Sequence, residues 1–185
     1  MKLILVRHGE TEENVNDLLA GQDCGKLTAK GIEQSKKLGK ELKEKYKIDM
    51  IFCSPLTRCR ETLENILDEN PIDVPIYMSK LIEERDYGEY TGMEAVLVNP
   101  EELNENNKIN REMGVESLIH LVKRVSLFLE DLKLEDENST ILVVSHQEPI
   151  KIMAAKITGK TTDEISVKNA EIMEFELVSD EDYSK

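Results

Sequence analysis

Arg7 and His8 stand together at the end of a short apolar run, Lys2-Leu3-Ile4-Leu5-Val6. An imidazole is a nitrogen nucleophile, and a guanidinium beside it is a fork for an oxyanion. The pair suggests a site where an anionic ligand meets a nucleophile, although an ordinary strand-to-loop junction would read the same in isolation. Two comparable junctions follow. Ser54 to Arg58 come after Asp49-Met50-Ile51-Phe52-Cys53, and His146 comes after Thr140-Ile141-Leu142-Val143-Val144-Ser145. Two arginines and two histidines brought together would form a pocket for a dianion. Guanidinium forks match phosphoryl oxygens, and charge-assisted hydrogen bonds contribute about 1.5–3 kcal/mol each.

The elements decide whether these groups can meet. Apolar runs without a 3.6-residue period read as buried parallel strands. Parallel strands place their carboxyl ends on one edge, where ligands bind in open α/β sheets. Between the runs lie helical patterns. Thr28 predicts an N-cap for a helix to about Tyr46, with Ile32, Ser35, Leu38, Leu42 and Tyr46 on one face. Ser54-Pro55 predicts the start of a second helix through about Glu69. Leu118, Leu121, Val122, Val125, Leu129 and Leu132 mark a third, and Pro149 opens a fourth with Ile150, Met153, Ala154 and Ile157 buried. A helix start near Pro149 would add its positive dipole end to the pocket. Val74 to Met78 is a strand whose Pro75 argues for an edge. Glu171 to Val178 alternates and suits a final edge strand, and the acidic tail from Ser179 to Lys185 is expected to fray. The fold class expected is α/β: a three-layer α/β/α arrangement with a mostly parallel central sheet and one antiparallel edge strand. One domain is expected over residues 1–185, with a polar excursion across the ligand edge at about 89–114.

Composition narrows the partners. The net charge of −14 in 185 residues disfavours nucleic acid and anionic membrane, so any phosphate-binding charge must be local. No apolar stretch approaches the ~20 residues of a membrane helix. Aromatics are 4% and Trp is absent, so aliphatic side chains must fill the core. Cys24, Cys53 and Cys59 form no CxxC, and with no signal peptide they read as reduced thiols of a cytoplasmic protein. The three histidines show no i,i+4 pair and no HExxH, so neither metal ligands nor a cofactor is expected.

Read together, the motifs resemble the histidine phosphatase superfamily, the group that includes cofactor-dependent phosphoglycerate mutases. The likeness runs through Arg7-His8-Gly9-Glu10-Thr11 with Asn14, Leu27-Thr28 with Gly31 and Gln34, and Ser54-Pro55-Leu56 with Arg58 and Thr62. It continues through Glu84 before Tyr87-Gly88 and Gly92, Gly114 with Glu116-Ser117, and Val144-Ser145-His146. The resemblance implies that His8 becomes a phosphohistidine while Arg7, Arg58 and His146 hold the phosphoryl oxygens. Asn14 would be a further phosphate contact. The family spacing to Gly88 selects Glu84 over Glu83 as the proton donor to the leaving oxygen. Two arginines nearby would keep His8 neutral. Gln147 stands where glycine is common in the family, and its side chain would narrow the pocket or contact phosphate.

The implied activity is hydrolysis of a small phosphorylated metabolite. A phosphoglycerate mutase-type transfer is the alternative, which the short 89–114 cover disfavours. A catalytically silent phospho-ligand module would have lost one of His8, Arg58, Glu84 or His146, and all four are present. His120 is expected on the surface. Arg60 and Arg85 are expected to be exposed or paired locally, with the substrate mouth as the other reading. Nothing in the sequence is diagnostic of oligomeric state.

Overall fold

The computed structural model describes residues 1–23, 25–105 and 107–177. Cys24 and the tail from Val178 onward lie outside the described residues. Five strands form one sheet: β1 (Lys2–Arg7), β2 (Met50–Cys53), β3 (Ile76–Met78), β4 (Thr140–Ser145) and β5 (Ile172–Glu176). Their order is β3-β2-β4-β1-β5. β5 alone runs antiparallel, against β1, and the other pairs are parallel.

Helices cover both faces. α1 (Glu12–Val15) is a single capped turn, followed by α2 (Ala29–Lys45) and α3 (Thr57–Glu69). α4 (Pro100–Asn104) and α5 (Lys108–Glu112) lie in the excursion, and α6 (Leu118–Leu132) and α7 (Gln147–Thr158) follow. β1 explains the layering. Its side chains alternate, so Leu3 and Leu5 join the cluster built from α6 and α7, while Ile4 and Val6 join the one built from α2 and α3. All four are fully buried. Each such burial stabilises by roughly 1.5–3 kcal/mol, which is why the strand is apolar throughout instead of alternating. Among the described residues, no helix is long and apolar enough to cross a membrane.

Several boundaries differ from the sequence expectation, each for a local reason. α3 starts at Thr57 with Leu56 as its N-cap, because Pro55 drives Ser54 out of helical geometry and the Ser54 hydroxyl is engaged elsewhere. α7 starts two residues before Pro149, which the first turn tolerates because its N–H would have no helical partner there. α2 buries Gly31 and Gly39 beside Ser35, Leu38 and Leu42, whereas Ile32 is exposed. On α6, Val122 is exposed and Arg124 and Phe128 take buried positions. β3 is shorter than expected but does form an edge, with Ile76, Tyr77 and Met78 exposed.

The excursion is a small folded unit. Val98, Leu103 and Val115 form its own apolar cluster, with Leu19, Tyr87, Tyr90 and Met113 packed on it. A Tyr87–Val115 bridge closes its base. Backbone bonds from Leu19 to Met93, Gly92 to Leu19 and Ala95 to Asp17 tie it to the segment after α1.

Gly31 tests the packing argument. A Cβ there would meet the Glu10 carbonyl oxygen. Helix propensity alone favours Ala over Gly by about 1 kcal/mol. Overpacking typically costs about 1–3 kcal/mol, and here the obstruction is backbone. Gly31→Ala is therefore expected to destabilise in urea unfolding, and a raised midpoint would show that the helix can shift away from the His8 loop.

Candidate active site

Strand register assembles the site. β1, β4 and β2 are neighbours, with Arg7 opposite Ser145 and Cys53 opposite Val144. One step further along each strand come His8, His146 and Ser54. The ladder continues there, with His8 N–H donating to the Ser145 carbonyl and Ser54 N–H to the Val144 carbonyl. The imidazole centroids of His8 and His146 are 5.3 Å apart. Gly9 N–H donates to Thr62 Oγ1 at 3.0 Å and Glu10 N–H to Gln34 Oε1 at 2.9 Å, so α3 and α2 hold the loop that carries His8.

Hydrogen bonds fix the tautomers. His8 Nδ1 lies 2.7 Å from the Gly9 carbonyl, which only accepts, so Nδ1 carries the proton. Its Nε2 accepts from Arg58 Nε at 3.2 Å, leaving the lone pair of Nε2 on the side of the guanidinium. The same Arg58 Nε donates to His146 Nδ1 at 3.1 Å. His146 therefore carries its proton on Nε2 and donates it to Ser54 Oγ at 2.7 Å.

Both arginines are anchored by backbone. Arg58 donates through its terminal nitrogens to the carbonyls of Gly21 and Asp23, and Arg7 Nη1 donates to the Val167 carbonyl. Among the described residues, neither forms an ion pair with a carboxylate. Arg7 Nε is buried with no hydrogen-bond partner. A buried and a half-buried cation with no carboxylate bonded to either, one of them with an unused donor, favour an anion that completes the set. Both histidines are held well below the ordinary 6.5, by burial first and then by the arginine charges.

Glu84 sits beside this cluster, buried. Its Oε1 accepts the Arg85 N–H at 2.9 Å. Burial first, then the charge of Glu148, raises its pKa, which favours the protonated form. Arg7, His8, Asn14, Arg58, Glu84 and Gln147 line one cavity of about 350 Å³. Asn14 Oδ1 already accepts from the backbone of Thr11 and from Asn169, so its amide nitrogen is the group left for a ligand. Glu83 does not line this cavity; its carbonyl accepts from Arg124. Arg85 braces the excursion by donating to Glu116, Asn104 and Leu103, and Arg60 is exposed, so neither lines the mouth. His120 is on the surface, 2.6 Å from Glu116. Among the described residues, no three His, Cys, Asp or Glu side chains are grouped as metal ligands would be.

Three residues contribute in ways that the sequence did not assign to them. Ser54 orients His146. Glu148, on the first turn of α7, lines the cavity. Arg124 is almost buried and donates to the carbonyls of Leu81, Glu83 and Glu84 while pairing with both oxygens of Glu116. It fixes the backbone that presents Glu84. Its signal was a cation on the apolar stripe between Leu121 and Phe128.

Comparison with known proteins places this geometry in context. The family described as "Histidine phosphatase superfamily (branch 1)" matches residues 3–183. A probable phosphatase of Schizosaccharomyces pombe is 35% identical over 83% of this chain and 71% of its own. A 2,3-bisphosphoglycerate-dependent phosphoglycerate mutase of Mesorhizobium japonicum is 31% identical over 88% and 84%. The crystal structure of a phosphoserine phosphatase mutant from Entamoeba histolytica in complex with phosphoserine superposes with a TM-score of 0.77. It is 27% identical and covers 94% of this chain and 89% of that one.

The depressed histidines set a stability signature. Folding holds His8 and His146 neutral, whereas the unfolded chain protonates them near pH 6.5. Their contribution is complete above pH 6.5 and is lost as pH falls below it, by at most about 1.4 kcal/mol per pH unit for each group. A His146→Gln variant should show a shallower fall between pH 6.5 and 5 in urea titrations. An unchanged slope would mean that His146 is not buried neutral.

Proposed function

The chain belongs to the histidine phosphatase superfamily, branch 1, and from that premise we propose that it is a metal-independent phosphomonoesterase of one domain, residues 1–185, acting through a phosphohistidine on a small phosphorylated metabolite. One observation carries the reading: a lone pair on His8 Nε2 faces the buried Arg58 guanidinium, and Arg7 lines the same cavity with a buried Nε that has no hydrogen-bond partner.

The chemistry follows from the geometry. His8 Nε2 attacks phosphorus in line, and the bond from phosphorus to the leaving oxygen breaks. The proton stays on Nδ1, donated to the Gly9 carbonyl, so no base is needed to free the lone pair on Nε2. Arg7 Nε and Arg58 Nε draw on the phosphoryl oxygens as charge develops there, and Asn14 and Gln147 add amide donors. A phosphoryl oxygen that reaches Arg58 Nε also reaches His146 Nδ1. That nitrogen must then take up a proton to donate, which the dianion favours. Glu84 gives its proton to the leaving alkoxide. As a carboxylate it then removes a proton from water, which attacks phosphorus and frees His8. No metal is required, because the arginines supply the positive charge that a metal would. The loss of one such donor is expected to slow turnover by about 100–1000-fold.

A mutase would share the first half of this cycle and return the phosphoryl group to a second hydroxyl. The short excursion at 89–114 favours water as the acceptor. Incubation with 3-phosphoglycerate and its bisphosphate partner is expected to release inorganic phosphate; formation of the isomer instead would assign the transferase activity.

Chelator-treated protein quenched in alkaline detergent after exposure to a labelled phosphomonoester should carry base-stable, acid-labile phosphate on His8. Equal label in His8→Ala would exclude His8 as nucleophile. Glu84→Gln should lower kcat/KM, which reports transfer of the phosphoryl group to His8, for alkyl phosphates far more than for nitrophenyl phosphate, whose leaving group needs no proton. A uniform loss on both would remove Glu84 from the role of acid.

A further inference from the structure

We infer that the organic half of the substrate carries a positive charge, so that phosphomonoesters of small amino alcohols are the preferred substrates. The inference deepens the phosphatase reading above and rests on it.

The cavity is divided by charge. It is lined by Arg7 and Arg58 with a neutral His8, and the neutral His146 is bonded to Arg58 without lining it. Among the described residues, the remaining charged members of its lining are Glu13, Asp17, Glu84 and Glu148, with neither a lysine nor a third arginine. Two guanidinium charges match one phosphoryl dianion. With Glu84 set aside as the proton donor, three carboxylates remain around the part of the ligand that points away from the arginines.

These acids stand where the organic group must lie. Glu84 protonates the leaving oxygen, so the rest of the substrate extends past Glu84. Glu148 acts electrostatically on Glu84 and therefore borders that side. Its own partner is Lys151, one turn along α7 and 3.7 Å away, a loose pair at the cavity rim. Glu13 Oε2 is buried with no hydrogen-bond partner, which is costly for a carboxylate oxygen. A ligand ammonium supplies three donors and a compensating charge. Asp17 is held at the rim with a left-handed backbone, φ 51°, and its carbonyl accepts from Ala95 of the excursion, which also lines the cavity. A ligand with a carboxylate in the same place would meet like charge from Glu13, Asp17 and Glu148.

Three esters of matched length test this: 2-aminoethyl phosphate, 2-hydroxyethyl phosphate and phosphoglycolate, with nitrophenyl phosphate as reference. The kcat/KM for the ammonium ester should exceed that for the hydroxyl ester by about tenfold or more, with the carboxylate ester slowest. In a Glu13→Gln, Glu148→Gln double variant, the ammonium-to-hydroxyl ratio should fall towards one. Taken as a ratio within one protein, this reading cancels any shared effect of the substitutions on Glu84 or on folding. Hydrolysis of nitrophenyl phosphate with no preference for the ammonium ester would overturn the inference and leave the phosphatase reading intact. Inertness towards all four esters would instead overturn the phosphatase reading and the inference with it. A wild-type preference that survives the double substitution would overturn the assignment to these carboxylates.

Discussion

The site depends on a guanidinium held in the protein interior by carbonyl groups in place of a carboxylate. Arg58 is almost wholly buried, and its terminal nitrogens are committed to the Gly21 and Asp23 carbonyls. Its Nε spans the two imidazoles. Had an Asp or Glu taken that place, the charge would be neutralised and the pull on an oxyanion largely lost. Carbonyl dipoles orient the group and leave its charge available. Arg7 follows the same rule through Val167. Burial first keeps both histidines neutral, and the charge of Arg58 adds to it, since a nearby cation suppresses protonation of its neighbours.

Precision comes from the sheet. Parallel pairing of β1 with β4 fixes Arg7 against Ser145, and one more residue on each strand sets His8 beside His146. Residues 138 positions apart thus meet through a backbone ladder that side-chain flexibility cannot perturb. The helices then secure the loops: Thr62 of α3 and Gln34 of α2 take the backbone donors after His8, and Arg124 of α6 clamps the carbonyls around Glu84. The site is rigid because it lies where two packed layers meet the strand ends.

Much of this was legible in the sequence because the relevant signals are local. Apolar runs of buried strands end at polar residues, and Arg7, His8, Arg58 and His146 announce themselves by type and position. What escaped depends on tertiary context. Ser54 reads as a helix cap, since Ser-Pro is a good start signal, yet His146 claims its hydroxyl from 92 residues away. Ile32 fits the apolar period of α2, but close approach to the His8 loop selects Gly31 for the buried face. Glu148 looks like any acid in a first helical turn, where it complements the dipole. Only the closing of the cavity around it gives it a neighbour in Glu84. Arg85 could have faced the mouth, and its burial under the excursion depends on Glu116, Asn104 and Leu103 all turning carbonyl oxygens towards it.

The pinch at the base of the excursion has an evolutionary corollary. Gly88 and Gly114 both have positive φ, and a Cβ on Gly88 would collide with the Met113 carbonyl, so the outgoing and returning chains touch there. Bonds from Glu89 to Met113 and from Glu116 to Asp86 sew the two strands of the neck together. Whatever is threaded between those stitches can lengthen, shorten or be grafted from a cousin while the ends keep their separation. A lineage can thereby retune which molecules it admits without disturbing the groups that break the bond.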